Sequence, residues 1–196
     1  YLTGNTIVDS VYQNLEISKK KENALDRLDI VPNEYFLATA HRAENVDNPV
    51  RLEEILRGLL LVGKKFSLPV IFPIHPRTMK MVKQFGLSLD GIRVIEPVGY
   101  LEFLQLEAAA KLILTDSGGV QEEACILNVP CLTLRDNTER PETISVNSNI
   151  LVGANSARIL NETNRMIINS NSWMNPFGDG KSGENITNIL IKWLLS

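Results

Sequence analysis

Residues 112–127 have the sequence LILTDSGGVQEEACIL, which is the most informative stretch of this chain. The apolar run that ends at Thr115 predicts a short buried strand, and the residues from Val120 onward predict a helix. Between them stand Gly118 and Gly119, whose missing side chains let a ligand approach the backbone. N–H groups at the start of a helix favour an anion, above all a phosphate. The stretch matches neither the G-x-G-x-x-G nor the P-loop consensus, so it predicts a phosphate site of another kind.

Outside this stretch, short apolar runs alternate with amphipathic segments. Five further runs predict strands, at residues 35–40, 70–74, 92–95, 131–134 and 149–152. They are continuous rather than alternating, which is typical of strands covered on both faces. Helical spacing is found at residues 50–66, 78–85, 100–110, 157–168 and 185–195. This alternation predicts an α/β fold with a doubly wound parallel Rossmann-like sheet of about six strands.

The composition of the 196 residues excludes several classes of protein. Hydrophobic residues make up 44% and charged residues 22%, so the chain can build a substantial core. The net charge is −3 and there is no dense basic block, which argues against nucleic acid as a partner. No apolar run reaches the length of a membrane span, so no membrane partner is predicted either.

The two cysteines, Cys125 and Cys131, have apolar neighbours in a predicted helix and a predicted strand. This pattern favours two buried reduced thiols over a disulfide, and therefore a cytoplasmic location. Because neither cysteine has a His or a further Cys nearby, no metal site is predicted.

Polar and charged residues collect after the predicted strands. Ligands of open parallel sheets bind beside the carboxyl ends of the strands. Both histidines of the chain, His41 and His75, follow the first and second strands, and Arg140 lies in the loop after the fifth. A single histidine is more often structural than functional, but two of two at one edge favour a site.

Around the glycine turn, each polar residue has two possible roles. Ser117 either caps the helix or hydrogen-bonds a phosphate oxygen. Glu123 lies where acidic residues of dinucleotide sites accept hydrogen bonds from ribose hydroxyls, although a carboxylate at a helix start is also stabilised by the helix dipole. Arg140 either binds a diphosphate or forms an ion pair with Glu139 or Glu142. Both alternatives stay open at each position.

The first thirty residues fit the alternation less well. Ile7, Val11 and Leu15 keep helical spacing, and a polar stretch then leads to the first strand. We expect residues 1–30 to be a connecting helical segment from an N-terminal domain and residues 31–196 to form a nucleotide-binding Rossmann-like domain. The chain opens on Tyr1 instead of Met, which suggests a piece of a longer polypeptide, and the last helix is a candidate to pack on the other domain.

Four motifs of this chain resemble those of bacterial and archaeal non-hydrolysing UDP-N-acetylglucosamine 2-epimerases, in the same order and spacing. They are TAHRAEN at 39–45, TDSGGVQEEA at 115–124, RDNTERPE at 135–142 and NPFGDG at 175–180. The opening TGNT at 3–6 is similar to that family's passage between its two domains. The resemblance covers essentially the whole chain and implies the C-terminal half of a two-domain fold of the glycosyltransferase-B type.

This resemblance implies an isomerase that interconverts UDP-N-acetylglucosamine and UDP-N-acetylmannosamine by elimination and re-addition of UDP. It implies UDP-N-acetylglucosamine or UDP as the ligand, no cofactor, no metal, and a homodimer for the full-length protein. The family's carboxylates that move the C2 proton belong to the N-terminal domain. We therefore expect the isolated chain to be inactive.

Carried over by position, the family's catalytic residue corresponds to His41, near the diphosphate, where it assists the departure of UDP. The residues expected to bind substrate are Phe103, Ser117, Gly118, Gly119, Glu123 and Arg140. Of these, the resemblance places Phe103 beside the uracil, Glu123 at the ribose hydroxyls, and Arg140 at the diphosphate or the uridine.

A second ligand site is also implied. Arg42, Glu44 and His75 match positions that contact an activating UDP-N-acetylglucosamine in bacterial members of the family. Arg77 stands where Asn is frequent, which weakens the transfer of that site. Asn128 stands where the family commonly has Gly, and we expect a helix terminus there in the left-handed conformation, which Asn tolerates better than most residues.

Three alternatives remain open: the donor-binding domain of a glycosyltransferase-B enzyme, a hydrolysing 2-epimerase, and a free-standing nucleotide-sugar-binding module. The glycosyltransferases usually show a different glutamate spacing after their glycine turn and lack the His-Arg-x-Glu-Asn motif. The hydrolysing relatives usually lack the Asp-Ser-Gly-Gly and Glu-Arg-Pro-Glu forms found here. The non-hydrolysing epimerase is therefore favoured.

Overall fold

One parallel sheet forms the centre of the protein. The computed structural model describes residues 1–168 and 172–195. Its strands are β1 Phe36–Thr39, β2 Val70–Pro73, β3 Arg93–Ile95, β4 Leu112–Thr115, β5 Cys131–Thr133 and β6 Asn149–Leu151. In the described residues these six strands are all parallel and lie in the order β3-β2-β1-β4-β5-β6. Each lies inside one of the six predicted runs, so the predicted fold class is confirmed.

Helices connect the strands and cover both faces of the sheet. The helices of the described residues are α1 Thr6–Ser18, α2 Ala24–Arg27, α3 Ala43–Val46, α4 Pro49–Phe66, α5 Pro76–Phe85, α6 Tyr100–Ala108, α7 Gly118–Ile126, α8 Pro141–Ser145, α9 Ser156–Ile168 and α10 Ser182–Leu194. Helices α3 and α8 were not predicted, because helices of four or five residues are too short to show a hydrophobic period.

The central strand β1 shows why the apolar runs are continuous. Successive side chains of a strand point to opposite faces of the sheet. Phe36 and Ala38 pack in the cluster formed by α4 and α9, whereas Leu37 packs with α6 and α7 on the other face. All three side chains are fully buried. A strand covered on both faces needs apolar residues at every position, which is the doubly wound arrangement.

The strand order places a crevice between β1 and β4. The chain runs outward from β1 through β2 to β3, then crosses back to β4 and continues outward to β6. The loops that follow β1 and β4 therefore diverge, which leaves a ligand-sized crevice at the carboxyl ends of the strands. At this point Thr39 pairs with Thr115, and their hydroxyl oxygens are 2.7 Å apart.

Helix α7 begins two residues earlier than predicted. The Ser117 side chain accepts a hydrogen bond from the N–H of Val120 at 3.4 Å, so Gly118 and Gly119 form the first turn of the helix. Neither glycine has a positive φ. A Cβ atom would come no closer to the nearest protein atom than 3.6 Å at Gly118 and 3.9 Å at Gly119. The fold itself does not require glycine here, so the space is available to a ligand.

Helix α1 packs across α6 and α7. Its Val8 and Val11 are fully buried beside Leu104 of α6 and Phe177, one of the residues of the NPFGDG motif. The backbone N–H of Asn5 donates to the Phe177 carbonyl at 2.8 Å, which ties this motif to the start of α1. The division of the chain at residue 30 stays a prediction.

The chain leaves α7 as the sequence predicts. Asn128 follows the helix with a φ of 60°, in the left-handed conformation. The N–H of Asn128 donates to the Cys125 carbonyl at 3.3 Å, and the next N–H donates to Ala124 at 2.9 Å. Asn tolerates this backbone better than other residues with a Cβ, so it can stand where Gly is common.

Candidate functional site

A cavity of about 230 Å³ lies at the crevice between β1 and β4. Four of the predicted site residues line it: His41, His75, Phe103 and Ser117. Pockets that enclose a whole drug-sized ligand usually measure ~300–1,000 Å³. This cavity is smaller and has the half-buried Phe103 ring in its wall, so it fits one ring of a larger ligand.

The start of α7 adds backbone donors to the crevice. The N–H groups of Gly118 and Gly119 are the first of the helix and have no partner within it. They carry the positive end of the helix dipole, and an anion placed there needs no cationic side chain. Ser117 caps the helix over a long 3.4 Å bond, so its capping role is established and its phosphate role stays a prediction.

Beneath His41 lies a buried carboxylate that the sequence analysis did not single out. Asp116 is fully buried, and its oxygens accept the backbone N–H groups of His41 at 3.0 and 3.1 Å and of Arg42 at 2.9 Å. The amide of Asn45 donates to it at 3.1 Å. The His41 Nδ1 lies 3.1 Å from Asp116 Oδ1, while 40% of the His41 side chain remains exposed.

This contact determines the orientation of the His41 ring and which of its nitrogens faces Asp116. A carboxylate accepts hydrogen bonds only, so the Nδ1 atom facing Asp116 is the nitrogen that carries the proton. The other ring nitrogen, Nε2, is thereby left for a ligand. Asp116 is the residue that directly follows β4 at the crevice, and this position is the signal that could have identified it.

Two opposing effects set the pKa of Asp116. Burial raises it, but hydrogen bonds from the His41 side chain, the Arg42 N–H and the Asn45 amide outweigh burial, and the pKa lies below the ordinary value. Asp116 is therefore ionised at neutral pH and holds a fixed negative charge beneath His41.

We expect Asp116→Ala to lower the free energy of unfolding by about 3–5 kcal/mol, because it leaves several buried donors without their acceptor. Asp116→Asn should cost less, since it keeps the shape and one acceptor oxygen. The folded-state pKa lies below the unfolded value of about 3.9, so the stabilising effect is present above that pH and is lost as pH falls through the folded-state pKa.

Urea unfolding of the wild type and Asp116→Asn between pH 3 and pH 7 gives the free energy of unfolding of each protein. The difference between the two free energies isolates the effect of Asp116, because the other acidic groups contribute equally to both. The difference in free energy should shrink at the acid end of the range. A difference that stays constant with pH would contradict the ionised state of Asp116 in the folded protein.

The remaining predicted substrate residues lie beside the cavity and do not line it. Glu123 is buried on α7 and accepts a hydrogen bond from the Tyr100 hydroxyl at 2.9 Å. Arg140 forms an ion pair with Glu122, with 2.7 Å between Nε and Oε1, instead of with Glu139 or Glu142. The Nε–H does not point along that line and forms no hydrogen bond. Arg140 is thus held near α7 with a buried donor still to be satisfied.

The three residues of the second predicted site occupy the same edge of the sheet. Arg42 is exposed, and Glu44 accepts from Arg135 Nε at 2.9 Å. His75 caps α5 through its Nδ1, which accepts the N–H of Arg77 at 3.2 Å, and its ring centre lies 6.1 Å from that of His41. Arg77 itself pairs with Asp47. The activator role of Arg42, Glu44 and His75 stays a prediction.

The structure also bears on the sequence predictions about cysteines, metal-binding groups and membrane-spanning helices. Cys125 and Cys131 are buried free cysteines. Residues 1–168 and 172–195 contain no group of three or more His, Cys, Asp or Glu side chains arranged to hold a metal ion. Within the same residues, no helix combines the length and apolar character needed to cross a membrane.

Comparison with known proteins identifies the same family as the sequence motifs. Residues 1–191 match the family model described as UDP-N-acetylglucosamine 2-epimerase. The chain is 54% identical to the UDP-N-acetylglucosamine 2-epimerase of Methanocaldococcus jannaschii over 97% of its own length and 54% of the relative's. It is also 48% identical, over 61% of the chain and 33% of the relative, to a UDP-2,3-diacetamido-2,3-dideoxy-D-glucuronate 2-epimerase of Pseudomonas aeruginosa.

Among solved structures, the Methanocaldococcus jannaschii UDP-GlcNAc 2-epimerase in complex with UDP-GlcNAc and UDP superimposes with a TM-score of 0.88 and 54% identity. The alignment covers 98% of this chain and 54% of that one. The chain therefore spans about half the length of the relatives it matches.

Proposed function

The chain belongs to the UDP-N-acetylglucosamine 2-epimerase family, and from this premise we propose that it is the UDP-binding half of an enzyme that interconverts UDP-N-acetylglucosamine and UDP-N-acetylmannosamine. The observation that carries the proposal is the crevice between β1 and β4, where the glycine start of α7, the Asp116-held His41 and the ring-sized cavity meet. We assign the chain to the C-terminal half of the two-domain enzyme.

In this proposal UDP lies along the crevice, and its uracil, ribose and diphosphate each contact a different group of the protein. The uracil ring enters the cavity beside Phe103, and the diphosphate faces the N–H groups of Gly118 and Gly119. Glu123 accepts the ribose hydroxyls, and Arg140 adds a positive charge at the diphosphate or the uridine. The open space above Gly119, where a Cβ would meet its nearest protein atom only at 3.9 Å, supports the phosphate position.

His41 is proposed to assist the departure of UDP. A base takes the C2 proton, the C1–O bond breaks, and UDP leaves with the bonding electrons, giving 2-acetamidoglucal and UDP. In the proposed step His41 acts as an imidazolium, whose Nε2–H donates a hydrogen bond to the leaving diphosphate, while Asp116 accepts from Nδ1 and balances the positive charge of the ring. Return of the proton to the opposite face and re-addition of UDP complete the epimerisation.

One assay separates this activity from the alternatives. A protein that contains both halves of the enzyme is given UDP-N-acetylglucosamine and no acceptor, and the products are followed by NMR. Formation of UDP-N-acetylmannosamine supports the proposal. Free N-acetylmannosamine with UDP would indicate a hydrolysing enzyme, and no reaction would favour a glycosyltransferase domain or a binding module.

The same assay tests the sugar. Because a relative that is 48% identical over part of the chain is named for a diacetamido glucuronate, the UDP-linked form of that sugar is the substrate to compare. We propose UDP-N-acetylglucosamine, since the more extensive match is to enzymes of that name. A clear preference for the glucuronate derivative would contradict this choice.

Helix α10 offers a surface for the N-terminal half. Its Leu190, Trp193 and Leu194 are all more than half exposed. The Asp9 side chain accepts N–H bonds from Ser182 at 3.2 Å and Gly183 at 3.0 Å, which anchors the start of α10 to α1. We propose that residues 1–30 connect the two domains, that α10 packs on the N-terminal one, and that the full-length protein is a cytoplasmic homodimer.

We expect the 196-residue chain to bind UDP, with modest affinity because only one side of the cleft is present. Glu123→Ala should weaken UDP binding by roughly 1–3 kcal/mol, since the ribose hydroxyls lose a charged acceptor. Calorimetry with UDP, UMP and 2′-deoxy-UDP measures this loss and identifies the group responsible for it. UDP and UDP-N-acetylglucosamine should bind similarly, because the sugar would lie mostly against the other domain.

The exposed Glu53 on α4 provides the matched control, and Glu53→Ala should leave the affinity for UDP unchanged. Two results would contradict the ribose role of Glu123: an unaltered affinity in Glu123→Ala, or an equal affinity of the wild type for UDP and 2′-deoxy-UDP. Glu123 would then only stabilise the start of α7.

A further inference from the structure

A second glutamate lies behind Glu123 and has no visible donor. Glu107 is on α6, in its last turn, and its side chain is fully buried. Neither of its carboxylate oxygens accepts a hydrogen bond from a donor group. An ionised carboxylate in that position would lose its hydration without compensation, which is strongly unfavourable.

None of the titratable groups near Glu107 carries a positive charge, and none of their O–H or S–H donors forms a hydrogen bond with its carboxylate oxygens. These groups are Glu123 from α7, Tyr100 from α6, Tyr35 beside β1 and Cys131 from β5. The Tyr35 hydroxyl already donates to the Leu106 carbonyl, and the Tyr100 hydroxyl donates to Glu123. What remains within hydrogen-bonding reach of Glu107 is the Glu123 carboxyl.

Two carboxyl groups can share a hydrogen bond only when one of them carries the proton. Burial, together with the proximity of Glu123, raises the pKa of Glu107 well above its ordinary value. Burial also raises the pKa of Glu123, although the hydrogen bonds from Tyr100 and Glu107 oppose this effect and the nearby Glu122 adds to it. The more deeply buried Glu107 is the member of the pair that keeps the proton.

We propose that Glu107 is protonated at neutral pH and donates a hydrogen bond to the Glu123 carboxylate, which makes it a positioning residue of the nucleotide site. This inference rests on the proposed ribose role of Glu123. A carboxylate has about four lone-pair sites. Tyr100 and Glu107 occupy two of them, and the two that remain match the two hydroxyls of a ribose.

The test compares two kinds of substitution at position 107 in the 196-residue chain. Glu107→Gln keeps a donor toward Glu123, so its affinity for UDP should stay within about twofold of the wild type. Glu107→Met keeps the length of the side chain and removes the donor, so UDP should bind about tenfold or more weakly. Calorimetry with 2′,3′-dideoxy-UDP should show no such difference between the two variants, because that ligand has no ribose hydroxyls.

The protonation itself is measured without a ligand, from the ¹³C chemical shifts of the glutamate carboxyl groups. One carboxyl group should remain protonated at neutral pH in the wild type, and its signal should be absent in Glu107→Gln. Circular dichroism checks that each variant folds, and Glu107→Leu replaces Glu107→Met if the latter does not.

Failure of the inference and failure of the proposed function give different results. Suppose first that the wild type binds UDP more tightly than the dideoxy ligand. If Glu107→Met then binds UDP as tightly as the wild type, or if Glu107→Gln loses as much affinity as Glu107→Met, the positioning role of Glu107 is wrong, while the proposed nucleotide site remains supported. Absence of a protonated carboxyl signal in the wild type also overturns the inference. If the wild type does not distinguish the two ligands, the ribose role of Glu123 fails, and the role of Glu107 in binding falls with it.

Discussion

The 196-residue chain alone is expected to convert no UDP-N-acetylglucosamine, whereas a chimera that joins it to the remaining half of the Methanocaldococcus jannaschii relative is expected to form UDP-N-acetylmannosamine. Elimination of UDP requires a base aligned with the C2 proton while the leaving group is stabilised on the other side. In the proposed function the crevice of this chain supplies the leaving-group side, and the family resemblance implies that the C2 base belongs to the other half.

The carboxylates around the crevice are already engaged with the protein. Asp116 is fully buried beneath His41, and its oxygens accept three backbone and side-chain groups besides the ring. Glu123 is held by Tyr100, and Glu44 by Arg135. These three carboxylates therefore already have partners within the protein, and the location of the C2 base in the other half of the enzyme stays a prediction.

The assay uses NMR with UDP-N-acetylglucosamine in deuterated water, where exchange at C2 reports proton transfer even before the products accumulate. The two halves mixed as separate chains provide a control for the covalent link. Turnover by the isolated chain at ordinary enzyme concentration would show that it contains a complete site, and the assignment to half an enzyme would then be wrong. An inactive but folded chimera that still binds UDP would contradict the epimerase proposal.

The strands could be predicted because both faces of the sheet are covered, so each strand position requires an apolar residue. In β1, Phe36 and Leu37 face opposite layers and both are fully buried, so the apolar run is visible in the sequence without knowledge of its partners. Asn128 was predictable for a similar reason, since its left-handed backbone depends on the local chain alone.

The site was less predictable because its contacts join residues far apart in sequence. Whether Asp116 contacts His41 depends on the neighbouring positions of β1 and β4, and the partner of Arg140 is set by how α7 lies against the loop after β5. The pairing of Glu107 with Glu123 depends on the packing of α6 against α7. Chemical type and sequence position pointed to His41, His75 and Ser117, and the family resemblance pointed to Phe103. The role of Asp116 and the partner of each residue required the fold.

In the active chimera, His41→Ala is expected to lower kcat by about 10²–10³-fold and to change KM much less. The interaction of His41 with the diphosphate should strengthen as negative charge develops on departing UDP, so it contributes mainly in the transition state. The His41 side chain is 40% exposed above a buried, ionised Asp116, and this arrangement supports the role because the imidazole is held in place before the charge appears. Steady-state kinetics with UDP-N-acetylglucosamine measure both constants.

Asp116→Asn distinguishes the contribution of the Asp116 charge to kcat from the contribution of the His41 ring. The amide keeps one acceptor oxygen for the backbone N–H groups of His41 and Arg42 but no longer balances a positive imidazole, so kcat should fall by less than in His41→Ala. Combining the two substitutions should lower kcat little beyond His41→Ala alone, since Asp116 is proposed to act through that ring. Fully multiplicative effects would mean that Asp116 supports the site independently. An unchanged kcat in His41→Ala would show that His41 serves only to close the loop after β1, and the stabilisation of departing UDP would then have to come from the helix α7 donors and Arg140.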